Sequence, residues 1–158
     1  MARKFGLKGP TSSPSVACAT GSYAIGEAYR FLRDEMEVGC DALLAGATET
    51  PINAPSLVGF NRIKALSRAQ MSRPFDQDRD GFVLGEGSGM LVLERLCSAL
   101  RRNAKIYAEI IGFGCTNDAY HPTSPDPSNS SAIAAIRSAL NTQHEHHLVA
   151  LNAHATST

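Results

Sequence analysis

An α/β fold is predicted by three observations. Short apolar runs of strand length recur along the chain, an apolar face at three- and four-residue spacing separates the first two, and the 43% hydrophobic content includes no long apolar run. The first run, Ser15-Val16-Ala17-Cys18-Ala19 after Pro10 and Pro14, reads as a buried strand. From Thr20 onward Tyr23, Ala24, Ala28, Phe31 and Leu32 share one side and Glu27, Arg30, Arg33 and Asp34 the other. That is an amphipathic helix of roughly 15 residues. Asp41–Gly46, after Gly39, is a second buried strand, so the three elements read as a βαβ unit. Residues 51–75 are rich in turn formers, with a short helix near Ser56–Arg62. Met90–Glu94 is a strand introduced by the glycine run 85–89, and Cys97–Arg102 is a brief helix. Ile106–Ile111 reads as a further strand beside it. Ala119–Ser131, with three prolines, is a loop, Ala132–Leu140 a helix and Leu148–Ala153 a last buried strand. There is no internal repeat and no low-complexity segment.

Composition excludes several functions. With 158 residues the chain is long enough to bury a core, and 15 basic residues balance 15 acidic ones. A neutral chain has no long-range field to steer nucleic acid or anionic lipid, so no nucleic-acid partner is expected. No run approaches the ~18 apolar residues of a membrane span. The N-terminal MARKFGLKGP has a basic start and no apolar core, so it is not a secretory signal. Four scattered cysteines without a C-x-x-C pair exclude zinc ribbons and thioredoxin-like motifs, and a chain of this size needs no disulfide staples.

Two residues stand out as candidate chemistry. Cys18 lies between a strand and a helix, where backbone N–H groups and the positive end of the helix dipole favour a thiolate, and its small neighbours leave room for a substrate. The competing reading is a buried structural cysteine, which is how Cys40, Cys97 and Cys115 are read. His154 follows the last apolar run and suits a hydrogen-bonding or acid/base role, against the alternative of a satisfied core histidine. Asp76-x-Asp78-x-Asp80-Gly81 matches the front of a calcium loop, but Gly87 occupies its twelfth position and Glu86 comes one residue early. It reads instead as an acidic turn paired with Arg73 and Arg79. The glycines of 85–89 do not form G-x-G-x-x-G and open a strand, so close backbone packing explains them better than phosphate binding. His144-Glu145-His146-His147 reads as a solvated loop rather than a metal site.

Taken together, the segments are more specific than any one of them. FGLKGP (5–10), SVACATGSYAIGEAYRFL (15–32), DALLAGATE (41–49), SLVGFNRIKALS (56–67), RPFDQDRDGFVLGEGSGMLVLE (73–94), IYAEIIGFG (106–114) and NAHATST (152–158) occur in one order and spacing. In these the chain resembles the β-ketoacyl-acyl-carrier-protein synthases, the elongating condensing enzymes of fatty-acid synthesis. The resemblance implies a thiolase-like layered α/β/α fold, incomplete here. Residues 1–103 would be the later part of its N-terminal half and residues 104–158 the beginning of its C-terminal half, with Met1 inside a larger fold. It further implies that Cys18 is the acyl-accepting nucleophile and His154 the first of two catalytic histidines. Thr156 and Thr158 would line the phosphopantetheine tunnel.

The implied reaction is decarboxylative condensation of an acyl group held on Cys18 with a malonyl thioester, without metal or redox cofactor. The implied partners are acyl carrier protein and a second subunit in a homodimer, in the cytoplasm or a mitochondrion. The family's lysine, second histidine and glycine-phenylalanine turn would fall beyond Thr158. An alternative therefore stands: an inactive protein that binds acyl carrier protein or a full-length synthase.

Overall fold

The computed structural model describes residues 1–34, 39–140 and 150–158. Contacts divide the chain into two compact units, Met1–Ala47 with Met90–Glu145, and Thr48–Gly89 with His146–Thr158.

In the first unit a short helix α1 (Ala2–Phe5) is followed by α2 (Thr20–Arg33). Ala28 and Leu32, on the expected apolar side of α2, are buried; Gly26, about 200° round the helix from Ala28, is buried as well, against the Phe113 ring. Ala28 and Leu32 meet Ala45 and Leu93, with Ile25, Tyr29, Leu43 and Ile110 packed around them. Arg30 and Arg33 occupy the last turn, where cations complement the helix dipole. Ala45 belongs to β1 (Ala42–Glu49) and Leu93 to β2 (Gly87–Glu94), which pair as a two-stranded sheet. The pairing is antiparallel, since Arg95 N donates to Asp41 O at one end and Thr48 Oγ1 to Gly87 O at the other. Of the apolar residues of β2, Leu93 is buried and Met90, Leu91 and Val92 are exposed.

β2 turns into α4 (Leu96–Arg101). Both Glu94 carboxylate oxygens accept from Arg102, and one also accepts from the buried Ser98 hydroxyl. These bonds, Arg102's first, hold the Glu94 carboxyl below the usual carboxylate range. α5 (Ser130–Leu140) follows a turn in which Asp126 accepts from Ser128 N, Ser128 Oγ and Ser130 Oγ.

Two expected strands do not form. Ser15–Ala19 forms no strand because its polar backbone groups are used locally. Val16 N donates to Thr20 Oγ1, Val16 O accepts from Ala19 N, and Ala17–Ala19 closes a single 3-10 turn. The βαβ unit therefore lacks its first strand. Ile106–Ile111 is not a strand either. The chain around it is held by side chains: Tyr29 Oη donates to Ile111 O, and Phe113 packs edge-on to Tyr23 at 6.0 Å. A β-carbon on Gly26 would collide with that Phe113 ring, and β-carbons on Gly112 and Gly114 would collide with the carbonyls of Ala139 and Ala135 in α5. The glycines thus let this segment lie close against both helices. Leu148 and Val149 fall outside the described residues, as does the His144–His147 cluster. Ala150–Ala153 is exposed and has no strand partner among the described residues.

In the second unit α3 (Ala54–Arg62) begins at Asn53, whose side chain accepts from Ser56 N, with proline in the first turn. Leu66 and Phe82 form a parallel bridge, and the Phe82 ring meets Phe60 edge-on at 5.3 Å. The packing role expected for Gly85, Gly87 and Gly89 is not found, since a β-carbon at each would meet open space. Gly81 has that role instead, at φ 128 with Ala65 O 2.5 Å from where a β-carbon would sit.

Gly114→Ala should destabilise the chain by about 1–3 kcal/mol through overpacking against α5. The melting temperature followed by circular dichroism should fall by about 2–8 °C. Gly85→Ala, facing open space, should change stability by no more than about 0.5 kcal/mol.

Candidate active site

Cys18 lies in the 3-10 turn immediately before α2, and its thiol is exposed rather than buried. The Thr20 hydroxyl ties the turn together, donating to Ala17 O at 2.7 Å while accepting from Val16 N at 3.0 Å. Ala17 adopts φ 51, uncommon for a residue with a β-carbon, so the chain bends sharply just before the cysteine. The thiol stands at the N-terminal end of α2, and the neighbouring Ala19 and Thr20 N–H groups donate to Val16 O and Ala17 O. Cys97 and Cys115 are also exposed and Cys40 is half-buried, so none of the three is a core residue.

The other three candidates lie in the second unit. His154 is exposed. Thr156 and Thr158 are brought together, their hydroxyl oxygens 2.7 Å apart. Between them Ser157 is 3% exposed. Its Oγ accepts from Arg73 N at 2.8 Å and its carbonyl from Gly81 N at 2.8 Å. The main-chain oxygen of Thr158 accepts from Arg79 Nε at 3.0 Å.

The loop that makes these contacts is the acidic turn. Asp80 accepts from Ser67 Oγ at 2.7 Å, Arg68 N at 2.9 Å and Ala69 N at 3.2 Å, and lies 3.5 Å from Arg73 Nη2. Arg73 Nη2 donates to Asp78 O and Arg79 Nη1 to Asp76 O. The expected pairing holds for Arg73 with Asp80, whereas Arg79 reaches carbonyls instead of carboxylates. Asp76 Oδ1 is taken by Asp78 N, and no group of three metal-ligating side chains occurs among the described residues.

Sequence reasoning missed Ser157, because a small polar residue gives no sign of burial until the loop that covers it is known. It also missed His121, whose Nδ1 accepts from both Thr123 N and Ser124 N. An accepting Nδ1 leaves the ring proton on Nε2.

Residues 1–99 match the Beta-ketoacyl synthase, N-terminal domain, and residues 107–158 its C-terminal domain. The chain belongs to the beta-ketoacyl synthase family. It is 45% identical to the mitochondrial 3-oxoacyl-[acyl-carrier-protein] synthase of Arabidopsis thaliana, over 98% of this chain and 35% of that protein. It is 43% identical to 3-oxoacyl-[acyl-carrier-protein] synthase 2 of Staphylococcus aureus, over 98% of this chain and 39% of that one. The chain thus spans a little over a third of the length of these relatives.

Among solved structures, one similar chain comes from a type II PKS acyl-carrier protein in complex with its ketosynthase bound to the hexaketide. Its TM-score is 0.81 at 35% identity, over 90% of this chain and 36% of that one. A beta-ketoacyl synthase from Burkholderia phymatum STM815 matches with TM-score 0.78 at 38% identity, over 88% of this chain and 35% of that one. The fold is accordingly the thiolase-like α/β fold of ketosynthases, present in part.

The hydrogen bonds from Ser67 Oγ and Ala69 N, joined by Arg68 N and the Arg73 guanidinium, hold Asp80 below the ordinary carboxylate value. A lowered carboxylate adds stability that is complete above the unfolded value of about 3.9 and is lost as pH falls through the folded one. Urea midpoints of wild type and Asp80→Asn should therefore differ most near about pH 6 and converge toward about pH 2. A constant difference across that range would show that the charge of Asp80 is not what the loop uses.

Proposed function

We propose that this chain carries the acyl-accepting site of a 3-oxoacyl-[acyl-carrier-protein] synthase, an acyltransferase of fatty-acid chain elongation. The observation that carries the reading is the exposed Cys18 thiol at the head of α2 in a member of this family. The Cys18 sulfur, as thiolate, attacks the carbonyl of an acyl thioester on the phosphopantetheine arm of acyl carrier protein. A carbon–sulfur bond to the cysteine forms, the one to the carrier breaks, and the carrier sulfur leaves to take up the proton that the cysteine gave up. A malonyl thioester then loses carbon dioxide, and the electron pair of the broken bond becomes an enolate. Its carbon attacks the acyl-cysteine, a carbon–carbon bond forms, and the Cys18 sulfur leaves as thiolate. A proton from solvent then restores the Cys18 thiol, and no step calls for a redox cofactor.

His154 has the role of donating an N–H to the enolate oxygen as charge develops. Thr156 and Thr158 have the role of contacting the phosphopantetheine arm. The halves of the fold divide at residues 103 and 104, a reading supported by matched stretches that stop at 99 and resume at 107. Acyl carrier protein is the partner, on the support of the relatives' names, and the working form is a homodimer. The compartment is the cytoplasm or the mitochondrion. No described helix is long and apolar enough to cross a membrane.

Incubation of the 158-residue chain with an acyl-pantetheine thioester, followed by peptide mapping, should place the acyl group on Cys18 in preference to Cys40, Cys97 and Cys115. Cys18→Ser should abolish the thioester adduct. Equal labelling of all four thiols would overturn the assignment of the nucleophile and favour a binding protein without catalytic activity.

A further inference from the structure

We propose that Ser157 is a positioning residue that sets the spacing of the Thr156 and Thr158 hydroxyls. The proposal rests on the reading of those threonines as the edge of the site that contacts phosphopantetheine. On an extended chain, side chains two residues apart leave the backbone about 6.6 Å from one another. Here the two hydroxyl oxygens are 2.7 Å apart. What differs is the backbone, since Ala155 at φ 49 and Ser157 at φ 63 both adopt the left-handed region, which disfavours residues bearing a β-carbon. Two such residues in three positions persist only where surrounding structure over-determines them.

The surroundings are specific. Ser157 is 3% exposed, and a buried hydroxyl without a partner is unfavourable. It has one in Arg73 N, while Gly81 N and Arg79 Nε bind the main-chain oxygens of Ser157 and Thr158. The loop that presents these three donors is itself fixed by Asp80, which gathers Ser67, Arg68 and Ala69. It is fixed as well by Gly81, whose φ of 128 and close approach to Ala65 O admit no side chain. Positioning runs from Asp80 through the loop to Ser157, and from Ser157 to its two neighbours. Ser157 touches no reacting atom in this arrangement.

The test uses the full chain with Ser157→Gly, which removes the hydroxyl while tolerating positive φ better than serine does. The three-bond couplings that report χ1 of Thr156 and Thr158 should show one rotamer each in wild type and rotamer averaging in the variant. Affinity for acetyl-pantetheine should fall about tenfold, a hydrogen-bond-sized loss. Asp80→Asn, which leaves Ser157 in place, should average the same couplings and keeps the test decisive if Ser157→Gly fails to fold. Wild-type couplings in the folded variants would overturn the proposal, as would weaker binding with the rotamers unchanged. If Thr156→Val and Thr158→Val bind acetyl-pantetheine as wild type does, the phosphopantetheine reading fails. The couplings alone then decide the role of Ser157.

Discussion

Ser157 offers an oxygen from its side chain and another from its backbone, and both are taken by N–H groups of a single loop, those of Arg73 and Gly81. That pair of bonds ties the end of the described sequence to the loop around Arg73–Gly81. The loop is shaped to deliver them: Asp80 draws three donors from residues 67–69, and Phe82 bridges back to Leu66. Without the pair, the run His154–Thr158 has little to fix it, since His154 and Thr158 are exposed and Ala155 and Ser157 have unfavourable backbone angles. A run of acidic residues that looks like an ion site is thus a scaffold for a distant part of the sequence.

The first unit relies on a different constraint, the absence of side chains. Its core is built from Ala28, Leu32, Ala45 and Leu93, which bring little apolar bulk. The compensation is close approach: Gly26 makes room for Phe113, while Gly112 and Gly114 bring the backbone against α5. Tyr29 and Tyr23 add a hydrogen bond and a ring contact to the same segment. Short distances between backbones replace the large side chains that another core would use.

Elements defined by periodicity were legible in the sequence. Tyr23, Ala28 and Leu32 announce α2 by their spacing, and the apolar run after Gly39 becomes β1 because it finds β2 as a partner. Ser15–Ala19 and Ile106–Ile111 were misread because apolar runs report a tendency toward burial and say nothing about a neighbouring strand. In the first the Thr20 hydroxyl bonds the backbone at Val16 and Ala17; in the second Tyr29 bonds Ile111 O and no strand partner is present among the described residues. Of the candidate site, the position of Cys18 at the head of a helix was legible in the sequence. Ser157 was not, because its burial is created by residues more than 70 positions earlier.

The contact between the two threonine oxygens also limits what they can offer a ligand. At 2.7 Å one hydroxyl must give its hydrogen to the other, so two hydroxyls together retain one hydrogen to donate outward. Their remaining lone pairs stay available. Towards anything that docks there, the pair behaves as a single-proton donor with surplus acceptor capacity. It is matched to a group presenting one carbonyl oxygen and poorly matched to a doubly accepting carboxylate or phosphate.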